Sequence, residues 1–202
     1  MRTCSLCLAL LLLTPTLLAA QAGEGGDDVW RALVRATLSG DSHTSTPEGY
    51  VVYSGVALEA ALGRRLGDVF ALELSVRTES REVDGPAGGG EALGSLEMIP
   101  ANLVLQWRPR GWSGEVFLPY AGLGLNMSAV WEKSGALDTT EPPIALGPVG
   151  QIGADVSVSS RMALSFDVKW YPLDIDIEGL ADPVPTVEVD PLSLGIGVSF
   201  VF

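Results

Sequence analysis

Val187-Glu188-Val189-Asp190-Pro191-Leu192-Ser193-Leu194-Gly195-Ile196-Gly197-Val198-Ser199-Phe200-Val201-Phe202 closes the sequence and decides its fold. Leu192, Leu194, Ile196, Val198, Phe200 and Phe202 take every second position, and Ser193, Gly195, Gly197 and Ser199 lie between them. A period of two sends alternate side chains to opposite faces of a β-strand. This strand therefore has one apolar face and one small, polar face. In a soluble sandwich the apolar face would pack on a core. In an outer-membrane barrel it meets lipid, and the small face lines a narrow lumen.

The N-terminus favours export. Met1-Arg2-Thr3 is a short basic start, residues 6–13 are an apolar core, and Ala20-Gln21-Ala22 is a small-x-small cleavage site. That pattern reads as a signal peptide over residues 1–22, and its apolar run is too short to span a bilayer as a helix. Residues 23–202 then form one domain. Cys4 and Cys7 both fall in the removed segment, so the exported chain is not stapled by disulfides. Mean hydropathy is positive, yet no later stretch approaches the roughly 20 apolar residues of a spanning helix. Alternation with one face in lipid produces that combination.

The same alternation recurs in residues 30–38, 51–62, 69–78, 98–108, 116–130, 147–158, 162–171 and 187–202. Residues 64–68, 109–114 and 159–161 are short turns, whereas the other connections are long and rich in Gly, Pro, Ser, Thr and acids. Short turns on one rim and long loops on the other predict an eight-stranded antiparallel transmembrane β-barrel, with the short turns on the periplasmic side. Trp30, Trp107, Trp170 and Phe202 fall near segment ends, where interfacial aromatics belong. Closure removes the edge strands that lipid would not tolerate.

The polar face of these segments supplies the candidate site. It places Arg35, Tyr53, Glu59, Glu73, Arg77, Gln106, Asn126, Gln151, Asp155, Asp167 and Lys169 in the lumen. Charges of both signs make either a polar pathway or a plug of ion pairs. An eight-stranded barrel is just wide enough for its own side chains, which favours a plug in the periplasmic half and places any pocket nearer the long loops.

The formal net charge is −13, with many of the acids in the long connections. An acidic surface argues against nucleic acid as a partner. It suits divalent cations bridging to lipopolysaccharide phosphates. Asp174, Asp176 and Glu178 share a strand face, which reads as a solvated acidic face rather than a metal site. His43, beside Asp41, Ser42 and Ser45, is the single histidine. A loop is a poor scaffold for a catalytic triad. No catalytic residue, cofactor or metal is expected, and an outer-membrane hydrolase is the weakest of the readings.

Several stretches together carry a family resemblance. They are Trp30-Arg31-Ala32-Leu33-Val34-Arg35-Ala36, Ile99-Pro100-Ala101-Asn102-Leu103-Val104-Leu105-Gln106-Trp107 and Pro119-Tyr120-Ala121-Gly122-Leu123-Gly124-Leu125-Asn126. Gly150-Gln151-Ile152-Gly153-Ala154-Asp155, Lys169-Trp170-Tyr171-Pro172-Leu173-Asp174-Ile175-Asp176 and Val189-Asp190-Pro191 follow in order. Across most of residues 23–202 the chain resembles the outer-membrane protein W (OmpW) family. It departs at Leu192, where the family usually has Trp. The resemblance implies a narrow outer-membrane barrel that binds or conducts small hydrophobic molecules, with lateral release into the membrane. It also implies recognition of the terminal strand by the barrel assembly machinery. Pro100 and Pro119 fall on neighbouring segments; proline cannot donate to a ladder, so together they mark a candidate lateral-exit wall. The alternative is a closed structural or surface-interaction barrel, of the adhesin or phage/colicin-receptor type, with no conduit.

Overall fold

The computed structural model describes residues 29–40, 42–43, 51–53, 55–84, 92–109, 116–133, 144–176, 186–189 and 192–202. The expected signal peptide, much of the acidic loop sequence, Glu178 and the Asp190-Pro191 pair lie outside the described residues. Eight strands form the wall: β1 (Trp30–Ser39), β2 (Gly55–Leu66), β3 (Phe70–Asp84), β4 (Ala92–Trp107), β5 (Phe117–Lys133), β6 (Ile144–Ser157), β7 (Met162–Trp170) and β8 (Leu192–Val201). Each pairs antiparallel with its neighbours in sequence. β1 pairs with β8, running from Arg31 opposite Val201 to Ser39 opposite Ser193, and so closes the barrel. Reciprocal bonds between the backbones of Trp30 and Phe202 (3.0 and 2.9 Å) seal the seam at the short-turn rim.

The wall is inside out relative to a soluble protein. Leu123 and Leu146 are each 76% exposed, while Arg35 and Glu59 are fully buried. A continuous exposed belt of Leu, Val, Ile and Phe is tolerable only where the solvent is hydrocarbon. The polar faces point inward and satisfy one another there.

Strand bounds differ from the sequence expectation for a physical reason. β3, β4 and β5 reach further toward the long-loop rim than residues 69–78, 98–108 and 116–130. At the end of β3 the outward positions are Thr78, Ser80 and Glu82. The strand has left the apolar zone but keeps its hydrogen bonds, so the apolar period ends before the strand does. β2 starts at Gly55, not Val51, and continues to Leu66; the turn narrows to residues 67–69, with Gly67 at φ +70°. Val51–Val52 instead bridges Ser42–His43 and the end of β3. The terminal segment is also divided. Thr186–Val189 pairs with Leu173–Asp176 in a separate two-stranded sheet, and β8 begins at Leu192.

Close approach on the inner side explains two glycines. A Cβ on Gly124 would collide with the Leu103 carbonyl, and one on Gly197 with the Val34 carbonyl. Only glycine lets neighbouring backbones crowd this far.

Candidate functional site

Alternation aims charged residues inward from four wall strands, at one level of the barrel. β1 supplies Arg35, β2 Glu59, β3 Glu73, and β7 both Asp167 and Lys169. β4 adds Gln106 and β6 adds Gln151. All seven are at most 6% exposed. The Arg35 guanidinium bonds Glu59 and lies 3.0 Å from Glu73 Oε1 and 3.2 Å from Asp167 Oδ2. Lys169 Nζ reaches both Glu59 oxygens, at 2.7 and 2.6 Å. Gln106 donates to Glu73 and to Gln151 at 3.0 Å each, and Gln151 donates to Asp167 at 2.7 Å.

A second tier lies toward the short turns. Arg31 pairs with Glu73 (2.8 Å) and with Asp155. Arg108 donates to the same Asp155 oxygen at 2.8 Å and to Gln106 at 2.9 and 3.0 Å. The Arg108 guanidinium stacks 4.5 Å from the Tyr120 ring. Arg31, Arg35, Arg108 and Lys169 thus face Glu59, Glu73, Asp155 and Asp167, four cations against four anions. A buried pair of this kind adds little net stability, but losing one member strands its partner without water. The cluster fills the lumen at this level with locked side chains.

The interior changes toward the long loops. Arg77 donates to Ser193 (3.0 Å), pairs with Glu79 (2.8 Å) and stacks 4.6 Å from the Tyr171 ring. Arg81 pairs with the same Glu79 at 2.7 Å. Across from them, Asn126 donates to Asn102 at 2.7 Å. Met98, Val130, Ala145 and Val149 are buried there too, with Pro100 among them, beside small polar Thr37, Ser39 and Ser128.

The sequence-derived set therefore divides. Arg35, Glu59, Glu73, Gln106, Gln151, Asp155, Asp167 and Lys169 come together in one network; Arg77 and Asn126 stand above it. Tyr53 donates its backbone N–H to the Glu82 carbonyl at 3.0 Å. It lies before β2 and is 41% exposed. Arg108, Glu79 and Arg81 join the networks although the sequence-derived set did not include them. Parity was the available signal, since Arg108 continues the row of Gln106 and residues 79 and 81 continue that of Arg77.

The paired-proline expectation needs correction. Pro100 lies opposite Ser128 on β5, whereas Pro119 lies opposite Ala154 on β6. Ser128 is nine residues from Pro119 along the strand, roughly 30 Å at the usual rise, so the two do not form one stretch of wall. Pro119 sits where β5 runs past the end of β4. Pro100 marks a real break, but on its other side. β3 and β4 pair up to Val76 opposite Ala101 and resume at Glu79 opposite Met98, in unchanged register. Arg77-Thr78 and Ile99-Pro100 face each other unpaired, while the β4–β5 ladder runs through Pro100 without interruption.

Relatives agree with this architecture. The crystal structure of OprG from Pseudomonas aeruginosa superposes with a TM-score of 0.70 at 22% identity, over 89% of this chain and 98% of that one. The solution structure of E. coli outer membrane protein W gives 0.56 at 16% identity, over 89% and 100%. Outer membrane protein AlkL of Ectopseudomonas oleovorans is 26% identical over 170 residues, which is 82% of this chain and 68% of that protein. The OmpW family model matches residues 35–202. This chain belongs to the OmpW family and is an outer-membrane β-barrel.

Proposed function

We propose that this barrel takes small hydrophobic molecules from the outer surface and releases them sideways into the membrane between β3 and β4. The observation that carries the reading is the unpaired stretch at Arg77-Thr78 and Ile99-Pro100, on the long-loop side of a filled lumen. A solute descending from the long loops meets the ion-pair cluster and has no straight route onward. Beside it stands an inner wall with Met98, Pro100 and Val130, and a seam lacking ladder bonds. On the far side of β3, pairing with β2 also ends at Leu58 opposite Thr78. Opening that stretch costs fewer hydrogen bonds than opening a fully paired stretch of the same length. Exit there opens at the long-loop edge of the apolar belt, just beyond outward Val76, where an apolar solute meets lipid. The chemistry asked of the protein is passage, with no bond made or broken.

The expected partners follow from the same reading: outer-membrane lipid and lipopolysaccharide around the belt, the assembly machinery at β8, and a hydrophobic solute inside. The filled lumen taken alone favours a closed structural or surface-interaction barrel. Uptake of a long-chain aliphatic probe separates the two, measured in proteoliposomes with lipopolysaccharide in the outer leaflet. The conduit requires uptake above protein-free vesicles. Equal rates would promote the closed barrel.

A further inference from the structure

Charges balance in the plug but not beneath it. A cavity of about 340 Å³ opens at the short-turn mouth. Its wall carries Arg31, Arg64, Arg65, Arg108 and Arg161, against a single carboxylate, Asp155. That carboxylate is already shared by Arg31 and Arg108 through one oxygen. Arg31 is further held by Glu73, and Arg108 by Gln106. Arg64 stacks on the Trp30 ring at 5.4 Å. Arg65 and Arg161 remain. Both line the cavity, and neither guanidinium has a side-chain partner among the described residues. Ser157, Ser159 and Ser160 line the same mouth.

We infer that this mouth is a binding site for a phosphate group, held chiefly by Arg65 and Arg161. Two unpaired guanidinium forks call for an anion, and a guanidinium fork matches the spacing of oxygens on a phosphate. A phosphate group is tetrahedral, so its free oxygens accept from two forks that approach from different sides. A planar carboxylate presents its two oxygens along one edge, which matches a single fork. The site is concave, so the charges converge instead of dispersing into water. The group has two possible sources, a soluble phosphate or the headgroup of a phospholipid in the adjoining leaflet. Both present an anionic phosphate to the arginines, the soluble monoester with three free oxygens and the diester headgroup with two.

Two measurements on the full barrel test this. Calorimetry in a phosphate-free detergent would titrate inorganic phosphate, glycerol 3-phosphate and succinate. Native mass spectrometry would score phosphatidylglycerol retained after extraction. The double variant Arg65→Gln, Arg161→Gln is compared in both, once its heat-modifiable migration shows that it is folded. If it does not fold, Arg161→Gln in the exposed turn reads the same quantity alone. Saturable binding of the soluble phosphates, weakened about tenfold or more by the variant, supports the site with a soluble source. Retention of lipid alone, lost in the variant, supports it with a headgroup. Succinate binding as tightly as phosphate, binding indifferent to the variant, or no binding in either arm would overturn it.

Discussion

Lys169 Nζ sits 2.6 Å from Glu59 Oε2 across the lumen, although β7 and β2 are separated by β8 and β1. The pair ties together strands that share no ladder. Arg35 holds the same Glu59 from the strand between. Glu59→Gln leaves two buried cations short of charge, a loss of about 3–5 kcal/mol for a buried pair broken from one side. Adding Lys169→Met should recover part of that loss, because the stranded ammonium is removed. Urea unfolding in lipid vesicles measures both. Strict additivity of the two single losses would mean the groups do not interact.

Glycine positions separate inner crowding from outer space. A Cβ at Gly197 meets the Val34 carbonyl, while one at Gly150 finds nothing nearer than Trp170, at 3.9 Å. Gly197→Ala should destabilise the barrel by about 1–3 kcal/mol through overpacking, and Gly150→Ala should be nearly silent. A loss at Gly197 as small as that at Gly150 would show that the inner wall relaxes around an added methyl.

Leu123 tests the lipid face. It is 76% exposed on β5, between Leu105 on β4 and Gly150 on β6. Arginine facing lipid near the midplane costs about 2–4 kcal/mol. Leu123→Arg should therefore lower folding yield in bilayers, and Leu123→Phe should be tolerated. The opposite ranking would put the strand one residue out of register.

How much of this was legible in the sequence depended on which property each residue answered to. The apolar period fixed the facing of Leu123, Glu73 and Lys169, because a one-residue slip would send a whole row to the wrong side. It did not fix where β3 ends, since outward Ser80 and Glu82 lie beyond the apolar zone and the strand persists on backbone bonds alone. Nor did parity show who meets whom across the lumen. Lys169 and Glu59 are 110 residues apart, and their contact follows from barrel closure and tilt, which no local pattern encodes. The prolines show the same limit. Their positions were plain, but not which neighbour each would fail to bond.

Pro100 and Pro119 now make separable predictions. Pro100→Ala restores an N–H at the interrupted β3–β4 seam, and one added ladder bond contributes about 0.5–1.5 kcal/mol. The barrel should become slightly more stable, and uptake of a hydrophobic probe should fall several-fold, because the exit closes as the ladder completes. Pro119→Ala acts at the short-turn end, where β4 has already stopped, and uptake should stay within about twofold. Amide hydrogen exchange at Thr78 and Ile99 checks the structural half, with protection rising in Pro100→Ala alone. Protection that rises while uptake is unchanged would move the exit away from this seam, and equal effects of the two substitutions on uptake would remove the lateral route altogether.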